Sequence, residues 1–416
     1  MNRKKIFKRT LLSSAVLLAS FQVLADTEDS YLLSSDTLFT GIINDTKFMK
    51  DTGFEVGLWA SGGITYASHN RDDRNNAPLS FNDRNNEFLL NQLNFYIERA
   101  INKGSDHVEI GGRMDIMFGT DAQKTQAINW DNNMGNNLDR SYYNFALPQL
   151  YLELYAPIAN GISAKIGHFY TSIGYETVTA PDNFFYSHSY TMLYAEPFTH
   201  NGIVFEYDID DNFSINAGAV MGWDNVTTHM TAWSFLGGVN WTSNSQATSV
   251  AVQLITGDSD ENKSGNRTMY SIVATHDITG DLHYVFQHDF GTQASDRAAT
   301  DSDGRVPAGG GAYPGSEAGN WFGINQYLTY DITDQVGVGL RAEWFNDKGG
   351  AHRVNAVGAN YLAASIGLNY SPISWFTFRP ELRFDWADEK VFNIGSNGLG
   401  VDDSQISLAM DMIVKF

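Results

Sequence analysis

The chain of 416 residues contains no cysteine. This absence excludes a disulfide framework, a thiolate metal site and the lipid-modified cysteine of a lipoprotein. Basic residues are also scarce, because 27 Lys and Arg stand against 48 Asp and Glu, which gives a formal net charge of −21. An acidic chain of this kind is a poor candidate for nucleic-acid binding, and its electrostatic field favours cations.

Beyond its amino terminus the chain also lacks a long apolar run. Five basic residues between Arg3 and Arg9 precede a short apolar segment, 11–21, and a cleavage site of small residues, 23–25. Because a bilayer-spanning helix needs about 20 apolar residues, the segment is typical of a cleaved export signal. We expect residues 1–25 to be removed, which leaves 22 basic residues against 48 acidic ones and a net charge of −26.

Sequence motifs for catalysis and metal binding are incomplete. Ser187-His188-Ser189 has no strand-to-helix nucleophile elbow around it, and no ordered series of Ser, Asp and His accompanies it. The acidic stretches 258–262 and 301–304 resemble calcium loops, but neither reaches the final Glu of the 12-residue pattern. The sequence therefore predicts no enzyme, no cofactor and no metal site.

Alternation of apolar and polar residues fills most of the chain after residue 53. Period two is typical of strands that have one apolar face and one polar face. Sixteen such runs are found, at 54–68, 87–101, 105–119, 147–157, 161–172, 200–209, 212–223, 231–242, 247–257, 266–277, 281–292, 319–331, 335–346, 358–371, 374–387 and 403–416. These runs predict an all-β protein.

The connections between the runs differ in length in a regular way. Those after even-numbered runs are tight and rich in turn residues, such as Asn102-Lys103-Gly104, whereas those after odd-numbered runs are mostly longer, up to 120–146, 173–199 and 293–318. Short turns at one rim and long loops at the other are typical of single-chain transmembrane barrels, with the short rim in the periplasm. An even number of strands places both termini at that rim.

The run 374–387 indicates what each face meets. Its apolar side carries Phe376, Phe378, Leu382, Phe384 and Trp386, and its polar side carries Thr377, Arg379, Glu381, Arg383 and Asp385. Four charges against a packed core would be very costly, whereas a watery lumen accommodates them. A secreted β-sandwich is the alternative, but the export signal and the loop asymmetry favour a barrel.

We therefore predict a transmembrane antiparallel β-barrel of about 16 strands over residues 54–416, preceded by a periplasmic segment, 26–53, with a short helix near Leu38 to Met49. The last run ends in Phe416 with an apolar face from Ile406 onward, and it resembles the assembly signal of Gram-negative outer-membrane barrels. That resemblance implies the outer membrane as location, with its lipid, its lipopolysaccharide and the barrel-assembly machinery as partners.

Four segments between residues 148 and 208 carry a more specific resemblance: PQLYLELYAPI, AKIGHFYTSIGYE, APDNFFYSHSY and EPFTHNGIVFEYDI. They resemble the putative β-barrel porin-2 family of bacterial outer-membrane proteins. The resemblance implies an outer-membrane barrel and a pore, although the solutes of this family are mostly undefined. About 391 residues in sixteen strands also leave a lumen wider than side chains can fill, unless something plugs it.

Charged residues of the polar faces are the candidate site. The predicted lumen carries ten acidic residues, namely Glu98, Glu109, Asp115, Glu153, Glu206, Asp289, Glu343, Glu381, Asp385 and Asp411. It carries five basic ones, namely Arg113, Lys165, Arg341, Arg379 and Arg383. Porins of this architecture set a basic strip across from an acidic loop that folds inward. Here that strip is Arg341, Arg379 and Arg383, and the loop is 173–199 with Glu176, Asp182 and Glu196 as its acidic residues. The alternative is that these arginines only neutralise neighbouring acids on the wall.

Three functions remain open from the sequence. The first is passive diffusion of small hydrophilic solutes through a cation-preferring channel, with a homo-oligomer left open. The second is a closed or plugged barrel that acts as a surface or structural protein. The third is a substrate-specific uptake channel, which needs aromatic rings inside the lumen, and Trp59, Tyr96, Tyr151 and Tyr155 are the candidates. An outer-membrane protease or phospholipase is the minor enzymatic alternative.

Overall fold

The computed structural model describes residues 36–68, 74–132, 134, 142–226, 233–258, 265–294, 318–351, 353–354, 357–394 and 400–416. The predicted export signal lies outside these residues. The alternating runs form sixteen strands of one closed antiparallel barrel, in which every strand pairs with its neighbours in sequence and the last pairs with the first. The predicted fold is confirmed.

The strands are β1 Phe54–Ala67, β2 Phe88–Arg99, β3 Glu109–Gly119, β4 Asn144–Ala156, β5 Ile162–Tyr170, β6 Thr199–Asp208, β7 Phe213–Val220, β8 Ser234–Thr242, β9 Thr248–Asp258, β10 Asn266–Asp277, β11 Leu282–Gln293, β12 Gly319–Thr333, β13 Val336–Gly349, β14 Asn360–Ile373, β15 Phe376–Ala387 and β16 Ser404–Lys415. The largest error in the predicted boundaries is at β3. This strand begins at Glu109, whereas the alternation predicted a start at residue 105. Residues 105–108 belong to the turn that precedes the strand.

Short helices occur before the barrel and in two of its loops. They are α1 Thr40–Asn44, α2 Lys47–Thr52 and α3 Thr120–Thr125, with a 3-10 turn at Ala180–Asp182 and a π-helical turn at Thr191–Ala195. The helix expected near Leu38 to Met49 is thus a pair of short helices. Across the described ranges no helix is long and apolar enough to cross a membrane.

The two faces of the strands are those that the alternation predicted. In β16 the side chains of Ile406, Leu408 and Met412 are exposed on the outside of the barrel, whereas Gln405 and Asp411 are buried inside. In β15 the same division separates exposed Leu382, Phe384 and Trp386 from buried Arg379, Glu381, Arg383 and Asp385. Apolar side chains therefore face outward, where lipid lies, and the charged ones face the lumen.

The tight turns have a local cause. Between β6 and β7 the carboxylate of Asp210 accepts hydrogen bonds from the backbone N–H groups of Asn212 and Phe213, both at 2.8 Å. Between β10 and β11 the hydroxyl of Thr279 accepts from the N–H groups of Asp281 and Leu282. Side chains that hydrogen-bond the backbone of their own turn stabilise the tight connections between neighbouring strands at the short-turn rim.

The half of the lumen near the long loops is filled. Inward aromatic residues of three strands, Trp321, Phe345 and Tyr361, pack with loop residues such as Trp223 and Phe392 into one buried apolar cluster. A second cluster joins Phe81 of the β1–β2 loop with Val178 and Phe198 of the β5–β6 loop and with Met117 of β3. The barrel is therefore not a bare cylinder, because its long loops enter it and pack against its wall.

Candidate functional site

The connection between β5 and β6 runs through the interior of the barrel. We call residues 171–198 the inner loop. It leaves the wall at Tyr170 and returns at Thr199, and most of its side chains are buried. Its polar groups reach across the lumen to several strands: Ser172 contacts Gln253 of β9 at 3.3 Å, and the backbone N–H of Tyr175 donates to Gln287 of β11 at 3.2 Å.

Arg341 of β13 is the central anchor of this loop. Its guanidinium donates to Glu176 at 2.7 Å, to the carbonyl oxygen of Ser187 at 2.6 Å and to the Ser187 hydroxyl at 2.7 Å. It also donates to Glu381 of β15 at 3.3 Å. A guanidinium has five donors in a rigid fork, so one side chain binds the wall and the loop at once.

Arg379 and Arg383 of β15 repeat this arrangement. Arg379 binds the wall acid Asp411 through Nε at 2.9 Å and Nη2 at 2.6 Å, and its Nη1 donates to the carbonyl oxygens of Ala180 at 3.0 Å and Asn183 at 2.5 Å. Arg383 donates to Asp385 at 2.8 Å. It donates at 2.6 Å to the carbonyl oxygen of His188 in the inner loop. Each arginine thus joins a wall acid to the backbone of the inner loop.

We predicted a basic strip that faces an acidic loop across a gap, and this prediction is wrong about the gap. Arg341, Arg379 and Arg383 all lie on the lumen wall, as expected, but they are in direct contact with the inner loop. The physical reason is that Asp385 and Asp411 occupy only part of each guanidinium, and the remaining donors bind loop oxygens. Neutralisation of wall acids, the alternative, therefore accounts for only the smaller part of their hydrogen bonds.

The two wall acids nearest the loop also bind its backbone. Glu343 of β13 accepts from the N–H groups of Tyr190 at 2.8 Å and Thr191 at 2.7 Å. Glu381 accepts from the N–H of Ser187 at 2.8 Å and from its hydroxyl at 2.6 Å. Carboxylates and guanidinium groups thus bind both donors and acceptors of the same loop segment, and such charge-assisted bonds are the stronger kind.

The three predicted loop acids have different environments. Burial opposes ionisation of Glu176, but the adjacent Arg341 and His188 outweigh it and hold the pKa of Glu176 below its usual range. Glu196 is buried beside Asp289 of β11 and accepts from Gln287 at 2.5 Å, and burial together with that neighbouring acid raises its pKa well above the usual range. Asp182 is exposed and accepts from the Thr179 hydroxyl. The loop acids therefore do not form one acidic surface.

Glycines on the lumen face make room for the inner loop. A Cβ atom at Gly339 of β13 would lie 2.4 Å from the ring of Phe184, and one at Gly323 of β12 would lie 2.2 Å from the hydroxyl of Thr191. Real Cβ atoms do not approach other atoms so closely. The sequence reasoning missed these residues, although glycine at inward positions of otherwise alternating strands is the signal that marks them.

Gln92 of β2 is a second residue that the sequence reasoning missed. Its Nε2 donates to the carbonyl oxygen of Val178 at 2.7 Å, and its Oε1 accepts from the N–H of Ala180 at 3.0 Å. Its Oε1 also accepts from the indole of Trp59 at 3.0 Å. An amide at an inward position of a strand is the only sequence signal for this role.

Toward the short-turn rim the lumen wall carries half-buried charges. Arg113 of β3 binds Asp115 at 2.6 Å and Glu98 of β2 at 3.0 Å. Glu153 of β4 is the strand partner of Lys165 of β5. These residues were predicted to line the lumen, and the structure places them there. Both ion pairs of Arg113 join it to acids of the wall and not to the inner loop. The remaining predicted acids of this region contact basic side chains at the rim: Glu109 lies 3.9 Å from Arg99, and Glu206 lies 2.9 Å from Lys103.

The four aromatic candidates also face the lumen, but their rings are covered. Tyr96 lies over Gly57, since a Cβ there would be 2.1 Å from the ring, and the guanidinium of Arg113 sits 4.1 Å from its centroid. The ammonium of Lys165 lies 4.4 Å from the ring centre of Tyr151. Trp59, Tyr151 and Tyr155 are buried. Stacking of a solute needs an open ring face, so this geometry does not favour an aromatic track.

Among the residues that the structure describes, no group of three His, Asp or Glu side chains is placed to hold a metal ion. The buried Ser187-His188-Ser189 segment has structural partners instead. The Ser187 hydroxyl binds Glu381 and Arg341, and the N–H of Ser189 donates to Glu176 at 2.8 Å. These contacts hold the inner loop in place.

The family model described as putative beta-barrel porin-2, OmpL-like, matches residues 53–416. The chain belongs to this family. Together with the sixteen-strand barrel, this membership makes the protein an outer-membrane β-barrel of the porin type. No curated protein matches the chain in a sequence comparison.

Solved porin structures share the fold at low sequence identity. OprB of Pseudomonas putida at high pH is 10% identical with a TM-score of 0.60, covering 93% of this chain and 100% of its own. An anion-selective porin from Comamonas acidovorans is 9% identical with a TM-score of 0.56, covering 87% and 99%. A trimer form of OmpT, an outer-membrane protein of Vibrio cholerae, is 9% identical with a TM-score of 0.53, covering 87% and 99%.

Proposed function

We propose that this barrel is a porin for passive diffusion of small hydrophilic solutes, that it prefers cations, and that the inner loop sets the narrowest part of the route. The observation that carries the proposal is the lumen wall toward the short-turn rim, where the inward side chains of Glu98, Arg113, Glu153 and Lys165 are only half-buried. Ionised side chains along a wall suit an aqueous route, since in a dry core they would be very costly.

The preference for cations rests on which charges remain free to act on a solute. The donors of Arg341, Arg379 and Arg383 are used by wall acids and by the inner loop, so these arginines present little positive charge to the route. Toward the short-turn rim, Glu98 binds Arg113 at 3.0 Å and Glu153 is the strand partner of Lys165; both acids are half-buried. Because acids outnumber bases over the lumen as a whole, its field attracts cations, and salt weakens this effect over about 8 Å at physiological ionic strength.

A closed barrel with a surface or structural role is the second candidate. The dense contacts of the inner loop favour it, because the loop contacts β2, β9, β11, β12, β13 and β15 and shares a buried apolar cluster with Val273 and Val285. A substrate-specific channel with an aromatic track receives no such support, since the ring faces are covered.

Planar-bilayer recordings of two proteins separate these candidates. The purified wild type is compared with a variant in which residues 175–195 are replaced by a short Gly-Ser linker. A porin gives steps of conductance in the wild type and larger steps in the variant. A silent wild type beside a conducting variant contradicts passive diffusion and supports the closed barrel, with the inner loop as its plug. Equal conductance in both refutes the role of the loop as the narrowest part.

We further propose that residues 1–25 are removed on export, that the chain assembles through the machinery that recognises a strand ending in Phe416, and that it associates with its own copies. Outer-membrane lipid and lipopolysaccharide surround the barrel in this proposal, and no cofactor or catalysis is assigned. Amino-terminal sequencing of the mature protein, with Asp26 as the expected first residue, and its mass in native detergent complexes test these statements.

A further inference from the structure

The segment before β1 crosses beneath the seam of the barrel, which is the place where β1 pairs with β16 and closes the sheet. We call residues 37–53 the rim segment. The backbone N–H of Leu38 donates to the carbonyl oxygen of Lys415 at 3.0 Å, and the hydroxyl of Thr40 donates to the carbonyl oxygen of Phe416. Further along, Arg99 of β2 donates to the carbonyl oxygen of Thr52 at 3.0 Å. The rim segment therefore touches β16 and then β2, on either side of β1.

Asn44 in this segment takes the place of a missing strand neighbour. Pairing of β1 with β16 begins at Trp59, so the first residues of β1 lack a partner strand on that side. The Asn44 side chain accepts from the N–H of Val56 at 2.9 Å and donates to the carbonyl oxygen of Val56 at 2.9 Å. One amide thus satisfies both backbone groups, as a paired strand would.

The same segment presents an apolar surface that nothing in the described chain covers. The side chains of Ile42 and Phe48 are 57% and 69% exposed, and Phe39 and Ile43 are 42% and 44% exposed. This surface continues the lipid-facing side of the barrel. The ring of Phe39 lies 5.4 Å from that of Phe416, and the outward side chain of Phe54 at the start of β1 is 40% exposed.

We propose that the rim segment is a membrane-interface anchor, in which Phe39, Ile42, Ile43 and Phe48 insert into the periplasmic leaflet of the outer membrane and hold the segment across the seam. Lipid is the occupant that the surface fits, because the patch joins the lipid-facing side of β1 and β16 without a polar break at Phe54. Lys50, two positions from Phe48 and therefore on the opposite side of α2, is exposed as well. A short helix with aromatic and aliphatic residues on one side and charges on the other is typical of the bilayer interface.

Spin labels on single cysteines test the anchor, and the absence of native cysteine makes such labels specific. Phe48→Cys and Lys50→Cys, on opposite sides of α2, are each labelled, and the protein is folded into vesicles of phosphatidylethanolamine and phosphatidylglycerol. We expect the label at position 48 to collide with oxygen, which concentrates in the bilayer, more than with a water-soluble nickel chelate. The label at position 50 should show the reverse.

Two results overturn the proposal. If the label at position 48 meets the nickel chelate as freely as the label at position 50, the patch faces water. If it is shielded from both reagents, protein covers the patch, either a second copy of this chain or a periplasmic partner.

The role in the seam has a separate measurement. Asn44→Ala removes both hydrogen bonds to Val56 while leaving the apolar patch intact, and Thr46→Ala, which removes a helix cap in the same segment, is the matched control. We expect Asn44→Ala to lower the temperature at which the folded barrel loses its fast electrophoretic mobility by a few degrees more than the control does. Equal temperatures for the two variants contradict a seam-holding role.

Discussion

Replacing Arg341 with Gln should release the inner loop from the lumen wall. Arg341 is buried and makes three hydrogen bonds to the loop, at 2.7, 2.6 and 2.7 Å. Removing one partner of a buried ion pair costs about 3–5 kcal/mol, because the remaining charge has no compensation. At about 1.4 kcal/mol per factor of ten, the displaced state of the loop should become roughly 10²- to 10⁴-fold more populated.

A reporter cysteine measures this population. Ala195 of the inner loop is 0% exposed, and the chain has no other cysteine, so Ala195→Cys reacts with a soluble thiol reagent only when the loop is displaced. When opening and closing are faster than labelling, the labelling rate follows the displaced fraction. The rate should rise by about the factor given above on Arg341→Gln.

Arg113→Gln is the matched control. Arg113 also faces the lumen and binds two acids, Glu98 and Asp115, but its ion pairs lie on the wall itself. The Arg113→Gln variant should therefore be labelled at nearly the same rate as the parent, which carries Ala195→Cys alone. Labelling that is equally slow in the Arg341 variant and the parent would refute the conclusion that this arginine anchors the loop.

Three more outcomes follow from the same structure. Leu382→Arg, at an outward site near the middle of β15, should impair assembly by placing a charge in lipid at a cost of about 2–4 kcal/mol, whereas Thr275→Arg on the lumen face should be tolerated; comparable yields of folded barrel would mean the register is off by one residue. An impermeant thiol reagent on intact cells should label Lys348→Cys, in the last residues of β13 at its long-loop end, and not Asn244→Cys in a short turn; the opposite pattern would invert the topology. Burial raises the pKa of Asp224 to about 7, so the folded state binds this proton more tightly than the unfolded state does. The resulting stability is complete below about pH 4 and is lost as pH rises through 7. After division by the rate of a free thiol at the same pH, the labelling rate of the reporter cysteine should be higher at pH 8 than at pH 5, and Asp224→Asn should remove this difference.

The barrel could be predicted from the sequence because each strand carries its own signal. Alternation in β15 placed Leu382 outside and Arg383 inside, and turn residues such as Asp210 marked the short rim before any pairing was known. Strand facing is a local feature, because a strand that has lipid on one side and water on the other alternates apolar and polar residues along its own sequence.

The path of the inner loop could not be predicted in the same way. Its position depends on partners far away in the chain, such as Arg341 with Glu176 or Gln92 with Val178, and no local pattern records which residues meet. The residue types in the lumen were right, but their arrangement was not. The arginines were expected to face the loop across water, and instead they bind its backbone, since a guanidinium that has one acid partner keeps donors for others.

The route through the lumen is the central claim, and single-channel recording of the purified wild type tests it most directly. In a planar bilayer with a salt gradient, we expect discrete conductance steps and a reversal potential whose sign indicates cation preference, with the preference declining as salt rises. Anion preference in the wild type would contradict the charge argument. The absence of any current, in a preparation whose barrel is shown to be folded, would contradict the channel itself.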